Sequence, residues 1–471
     1  LWERGGVKSL KQFYFFFIPG ILISTFSSLL LMEYLPDETY YLIGFYAIWS
    51  SYMPLFTLGF QDGMFLNYRD KDFFASSKMI LYEFLFMFMF QVVIYLFLMF
   101  FVFGKLESEY IIYAFVSMLP INMLSVIRGI LQSAGKTTLM AVLDLVMRLT
   151  ILFTVVITMF LGLDYQGYIF LDIFTKFILL ILFSIYIIKL LFKFGDFDVV
   201  ISMNDVFHRF KNNFSSGFML LVGNLLLVFI FTMDRFFIGE QVDSSVEVAV
   251  STYQKAWVFL NMFIMLLAPI KTVLMSTIDR DMSDTKISYV TSLLLYVSIF
   301  ICSVYLLVVY PLIIRFEFLV DYQDVFYVLI YIMMIIPVMV NLQVHLINLL
   351  LLKFNKVFAL INIFIFSMFA LSNYYIIEVL GDGVPDFTYV VVLLVINFIV
   401  MFIIYTLILS FTFQSLINIS ILLFWTALYY FASISVFGIY FYVGCFVIYS
   451  LYLYKKRFIY INLIRGGELG V

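Results

Sequence analysis

From Met79 to Phe103 the chain runs for twenty-five residues with a single formal charge, Glu83. Stretches of this kind recur from one end of the sequence to the other. About twenty apolar residues cross the hydrocarbon core of a bilayer. In lipid, only a helix satisfies every backbone hydrogen bond within one exposed segment. A membrane β-barrel does not fit, because its strands alternate polar and apolar over about ten residues. With 65% hydrophobic and 12% charged residues, the chain also has more apolar surface than a water-soluble fold can bury.

The apolar runs predict an all-α membrane protein with fourteen transmembrane helices. Spans are expected at 14–32, 40–64, 79–103, 110–133, 138–162 and 167–192. A second set follows at 214–238, 249–275, 287–313, 324–351, 357–379, 387–410, 416–434 and 437–454. The tract 416–454 as one helix would be about 58 Å long, near twice the hydrocarbon thickness, so a turn is expected around Ser433–Gly438. The first run is full length and lacks a small-residue cleavage pattern, which predicts no cleavable signal.

Charge between the spans alternates. Arg4, Lys8 and Lys11, then Arg69, Lys71 and Lys78, then Lys136 fall on one side. Lys189, Lys193, Arg209 and Lys211, then Arg280 and Lys286, Lys353 and Lys356, and Lys455, Lys456 and Arg457 continue it. The opposite side has Lys105 and Arg315 among acidic residues such as Glu33, Asp37, Glu107 and Asp382. By the positive-inside rule both termini are cytoplasmic, which requires an even number of spans. The expected location is a bacterial inner membrane.

The longest loop, Gly195–Asn213, carries Phe197, Val199, Val206, Phe207 and Phe210 among polar residues. It reads as a cytoplasmic helix lying at the interface. The expected organisation is therefore an N-terminal lobe at 1–194 with spans one to six, and a linker helix at 195–213. A C-terminal lobe at 214–410 holds spans seven to twelve, and 411–471 supplies two extra spans and a cytoplasmic tail. Gly44-Phe45-Tyr46-Ala47 in span two and Ser251-Thr252-Tyr253-Gln254 in span eight mark a repeat, as do Pro120 in span four and Pro337 in span ten. Transporters are often built from such repeats.

These residues resemble the polysaccharide and oligosaccharide flippases of the multidrug/oligosaccharidyl-lipid/polysaccharide exporter superfamily. The resemblance lies in Leu35-Pro36 with Tyr41, Gly44, Tyr46 and Leu58-Gly59-Phe60. It continues in Leu131-Gln132-Ser133-Ala134-Gly135-Lys136, and in Asp234-Arg235-Phe236-Phe237-Ile238 followed by Val250, Tyr253 and Ala256. Ser251-Thr252 departs from the glycine the family usually shows before the tyrosine of span eight. The resemblance implies two six-helix lobes around a central cavity, cytoplasmic termini, and translocation of an undecaprenyl-pyrophosphate-linked oligosaccharide. Repeat units of O-antigen, capsule or exopolysaccharide are equivalent cargoes at this level. Polysaccharide polymerase and co-polymerase proteins are the partners it suggests, alongside the lipid-linked substrate and the bilayer.

A charge within a span costs at least about 2.5 kcal/mol on insertion scales, so each one demands a role. Arg128, Arg148, Lys176 and Lys255 are the candidate substrate-binding residues, since cations suit the pyrophosphate and guanidinium binds phosphate bidentately. Lys255 has no carboxylate three or four residues away and is the foremost single candidate. Asp144, Asp172, Asp234, Arg235 and His345 are candidate charge partners or coupling groups. A competing account is structural. Asp144 with Arg148, and Asp172 with Lys176, lie four apart on one helix face and can neutralise each other. Asp234 and Arg235 can anchor at the outer interface, and Arg128 can snorkel.

No basic arm suggests nucleic acid, and no Gly-rich loop ending in Gly-Lys-Ser/Thr suggests ATP. Cys302 and Cys445 lie in apolar runs and suggest neither a disulfide framework nor a metal site; no cofactor is expected. Two alternatives remain beside the flippase. One is a cation-coupled multidrug exporter of the same superfamily. The other is an enzyme, a membrane-embedded glycan polymerase or acyltransferase, which the short outside loops disfavour.

Overall fold

In a computed structural model the described residues of the expected spans are largely helical. The structure describes residues 2–68, 76–101, 108–134, 136–194, 201–239, 251–261, 264, 284–315, 323–342, 355–380, 387–409 and 412–464. No strand occurs among the described residues. They form two units, Leu1–Thr232 and Met233–Val471.

The first unit contains α1 (Trp2–Tyr34), α2 (Asp37–Tyr52), α3 (Phe60–Tyr68), α4 (Ser77–Phe101), α5 (Glu109–Val116), α6 (Met118–Ser133), α7 (Thr137–Leu161), α8 (Tyr165–Phe194) and most of α9 (Met203–Gly239). The second holds α10 (251–261), α11 (Asp284–Val304), α12 (Tyr310–Arg315), α13 (Gln323–Ile332) and α14 (Ile335–Leu342). It ends with α15 (Asn355–Leu380), α16 (Phe387–Leu409), α17 (Phe413–Ile434) and α18 (Val436–Ile464). Among the described residues seven helices are long and apolar enough to span a membrane, and up to nine if two bent pairs count as one span each. Phe100, Phe160 and Phe437 are 80%, 86% and 73% exposed. Outward-facing rings of this size are at home in lipid. The turn expected near 433–438 is present at Ser435, between α17 and α18.

Local chemistry sets the helix ends. Gly162 takes the left-handed conformation (φ 65°) and closes α7, with the amide of Leu163 donating back to the Thr158 carbonyl at 3.0 Å. Two residues on, Asp164 accepts from the Gly167 amide at 2.9 Å and starts α8. Ser202 does the same for α9, accepting from the Asp205 amide at 3.1 Å while its hydroxyl donates to the Asp205 carboxylate at 2.7 Å.

Span two is interrupted. Pro54 cannot donate a backbone hydrogen bond, and α2 gives way to a 3-10 turn over Met53–Thr57. Leu58 and Gly59 then adopt φ of 51° and 76° before α3 begins. Spans four and ten are bent rather than broken, by 42° between α5 and α6 and by 47° between α13 and α14. In each the bend lies about one turn before a proline, Pro120 or Pro337, where the missing N–H releases the carbonyl four residues back. In the second unit that carbonyl belongs to Met333, and the Cys302 thiol donates to it at 3.4 Å.

The core of the first unit is drawn from α3, α4, α6, α8 and α9, with Phe60, Met64, Phe84, Ile127, Ile187 and Phe210 buried. α9 is continuous from Met203, so residues 203–213 of the expected linker segment are its first turns. Val206, Phe210, Asn213, Gly217 and Leu220 are buried at helical spacing, while His208, Arg209 and Lys211 face outward.

In the second unit α17 and α18 are tied to α11 by polar contacts. Ser292 donates to Asn418 at 2.6 Å, Ser303 and Tyr442 share a hydrogen bond of 2.8 Å, and Tyr296 donates to Ser450 at 3.3 Å. Trp425 of α17 sits edge-on to Tyr442 of α18 at 5.0 Å between ring centres.

Candidate functional site

Three of the four predicted substrate-binding cations lie in the first unit, and they fall into two clusters. The first joins α6, α7 and α1. Arg128 of α6 makes a charge-assisted pair with Asp144 of α7, its Nε donating at 2.8 Å and its Nη2 contacting the same oxygen. Asp144 therefore serves the neighbouring helix, not the residue one turn ahead on its own. Arg148 turns toward α1, its guanidinium 5.8 Å from the centre of the Phe17 ring. Its stem lies over Gly20, where a Cβ would stand 3.0 Å from Arg148 Cδ. Asp144 attracts and Arg128 repels the Arg148 guanidinium, and these three side chains together carry one net positive charge. The Arg128 side chain is 44% exposed.

The second cluster joins α8 and α2. Asp172 and Lys176, one turn apart, form the ion pair their spacing predicts, with the ammonium 2.5 Å from Asp172 Oδ2. The Tyr46 hydroxyl donates to that same oxygen at 2.7 Å and accepts from Lys176 at 3.3 Å. The ammonium also stands 5.3 Å from the Tyr46 ring centre, within cation–π reach. Tyr46 and Asp172 are each 4% exposed. This is a closed arrangement in which every charge has a partner, as a low-dielectric setting requires.

α7 and α8 run side by side, with Thr154 and Thr175 in hydrogen-bond contact at 3.5 Å. Arg148 lies six residues before Thr154, about 9 Å of helix rise, and Lys176 directly follows Thr175. The clusters thus occupy successive levels of one helix pair.

Lys255 sits half-buried on α10 in the second unit. Asp234 and Arg235 fall in the last turns of α9, and His345 lies outside the described residues. Sequence reasoning missed Tyr46, Phe17 and Gly20 as members of the site. Tyr46 stood in the repeat motif, but nothing along the chain ties it to Asp172, 126 residues away. Glu83, the lone charge of its span, is fully buried and accepts from the Tyr68 hydroxyl at 2.9 Å. No group of three or more His, Cys, Asp or Glu that could hold a metal occurs among the described residues.

No family profile and no curated protein matches the sequence. Solved structures do share its fold. One is a MOP superfamily transporter from Pyrococcus furiosus, reported with a binding pocket of reversed polarity: TM-score 0.58, 13% identity, over 88% of this chain and 96% of that one. A multidrug resistance MATE family transporter in an outward-facing conformation aligns with TM-score 0.57 and 16% identity over the same shares. A MATE in complex with MaL6 gives TM-score 0.60 and 15% identity, again over 88% and 96%. At such identities the likeness is one of fold. The chain shares the fold of these structures, two of which are described as transporters of the MOP superfamily.

Proposed function

We propose that this chain is a flippase for an undecaprenyl-pyrophosphate-linked oligosaccharide. It moves the headgroup from the cytoplasmic to the outer leaflet of a bacterial inner membrane by alternating access, with both termini cytoplasmic. The observation that carries the reading is the net positive cluster of Arg128, Asp144 and Arg148 within membrane helices, with Arg128 44% exposed. A diphosphate brings at least two negative charges and oxygens that match the guanidinium fork.

Asp144 and Asp172 hold their cations compensated in the absence of cargo. An arriving diphosphate competes for Arg128 and Arg148 first, because Arg128 is open and Lys176 is closed in by Asp172 and Tyr46. Lys176 and Lys255 engage as the headgroup advances. Each conformation must bind the headgroup with a different affinity for transport to proceed. Polymerase and co-polymerase proteins are the partners that would consume the product outside.

A second reading is a cation-coupled multidrug exporter. It draws on the fold neighbour described as a multidrug resistance transporter and on the buried carboxylate Asp172. One experiment separates the two. The chain is expressed in a cell lacking its own lipid-linked glycan flippase, beside Arg148→Ala and Lys255→Ala at equal membrane abundance. Rescue that the variants lose supports a flippase with a cationic site. Rescue that survives both keeps the function and returns those charges to a structural role. Failure to rescue in any glycan background, together with export of cationic dyes, establishes the multidrug reading instead.

A further inference from the structure

α9 lies antiparallel along the interrupted second span and touches it on both sides of the interruption, in two different ways. Beyond the break the contact is backbone to backbone. A Cβ on Gly63 would overlap the Asn213 carbonyl, and Cβ atoms on Gly59 and Gly217 would each overlap the other's backbone. Glycine is required here because nothing larger lets the two helices approach so closely. Asn67 then donates to Asn213 at 2.8 Å, and Phe60 packs on Phe210 and Phe214 at 4.9 and 5.5 Å between ring centres. This contact has no slack.

Before the break the contact is made by side-chain tips. The Tyr52 ring lies 4.6 Å from that of Phe229, and its hydroxyl hydrogen-bonds Thr232. From Gly217 to Phe229 α9 advances by twelve residues, about 18 Å, while seven residues of α-helix would advance about 10 Å. The steeper rise of the 3-10 turn and the reach of Tyr52 make up the difference. Within the turn the Phe56 carbonyl accepts from Gln91 of α4 at 2.7 Å, and Asn122 of α6 donates to Gln91 at 2.8 Å. A side-chain tether can follow a displacement of the turn; a glycine crossing cannot.

We infer that α9 and the second span form a lever with its hinge at Met53–Gly59. α3 is clamped to α9 at the glycine crossing, and α2 shifts against α9 at Tyr52. α9 continues past Thr232 to Gly239, leaving the first unit, so tilting of that end is delivered to the hinge. The lever is independent of the cargo.

The test needs no substrate. In protein reconstituted in nanodiscs, with Cys302 and Cys445 replaced by alanine, two cysteine pairs are introduced separately: Asn67→Cys with Asn213→Cys, and Tyr52→Cys with Thr232→Cys. Each is joined by a short bifunctional methanethiosulfonate reagent and compared with its own reduced form, so that the effect of the substitutions cancels. Amide hydrogen exchange is read at Leu58, Gly59 and Phe60. Joining 52 to 232 slows exchange roughly tenfold or more, and joining 67 to 213 changes it by less than about twofold. An unaltered rate in the 52–232 link would show that the turn does not move against α9. A tenfold slowing by the 67–213 link would show that the crossing slides. Either result overturns the lever.

Discussion

The hydroxyl of Tyr46 donates at 2.7 Å to the same carboxylate oxygen of Asp172 that holds Lys176 at 2.5 Å. One oxygen thus binds a helix eight cation and a helix two hydroxyl. Its energetic consequence is that removing any member of the trio costs another a polar contact inside the membrane.

Asp172→Asn should therefore lower stability by roughly 3 kcal/mol or more, because Lys176 loses its counter-charge. The double variant Asp172→Asn with Lys176→Met should regain most of that loss. Thermal unfolding in detergent measures both. Equal losses in the single and double variants would mean that the pair is not what holds this part of α8.

Arg128 calls for the opposite expectation. In the proposed flippase the 44%-exposed Arg128 side chain faces a water-filled cavity, so the pair with Asp144 is worth no more than about 1 kcal/mol, and Arg128→Ala should unfold close to the wild-type midpoint. Glycan translocation should nonetheless fall by about tenfold, with Arg128→Lys intermediate because a point charge replaces a planar fork. Undiminished translocation in Arg128→Ala would remove this residue from the proposed route.

The glycines offer an internal comparison. Gly63→Ala and Gly217→Ala place a methyl group inside neighbouring backbone and should cost about 3 kcal/mol or prevent accumulation in the membrane. Gly444→Ala, in α18 with no neighbouring atom within 4 Å of the new methyl, should be neutral or stabilising by about 0.5 kcal/mol. Fluorescence-detected gel filtration of the three variants would decide it. A stable Gly63→Ala protein would argue that α3 and α9 have room to part.

The extra helices should prove integral to the second unit. Ending the chain after Leu409 strips Ser292, Tyr296 and Ser303 of Asn418, Ser450 and Tyr442, and it bares the α11 face they cover. Tyr442→Phe alone should cost about 1 kcal/mol through its lost hydrogen bond. The unfolding midpoint reports both changes. An unaltered midpoint on truncation would make α17 and α18 an independent appendage.

The sequence by itself determined whatever depends on spacing along one helix. Lipid forces each span to satisfy its own backbone, so runs of about twenty apolar residues marked the long helical segments among the described residues. Pro120 and Pro337 stand about one turn past the two bends, because a missing N–H acts on the carbonyl four residues back whatever surrounds it. Asp172 and Lys176 were readable as a pair for the same reason, being one turn apart.

Tertiary structure decided what depends on which helices lie side by side. On paper Asp144 paired with Arg148, one turn ahead, and only the packing of α6 on α7 gave it to Arg128, sixteen residues away. Tyr46 joined Asp172 from 126 residues off, and Asn67 joined Asn213 from 146. The break in span two and the glycines opposite it lay inside one apolar run, where hydropathy is blind to them. Hydropathy registers how a side chain partitions into lipid. The crossing of α3 and α9 turns instead on the absence of a Cβ at three positions, and that absence matters only where another backbone comes to meet it.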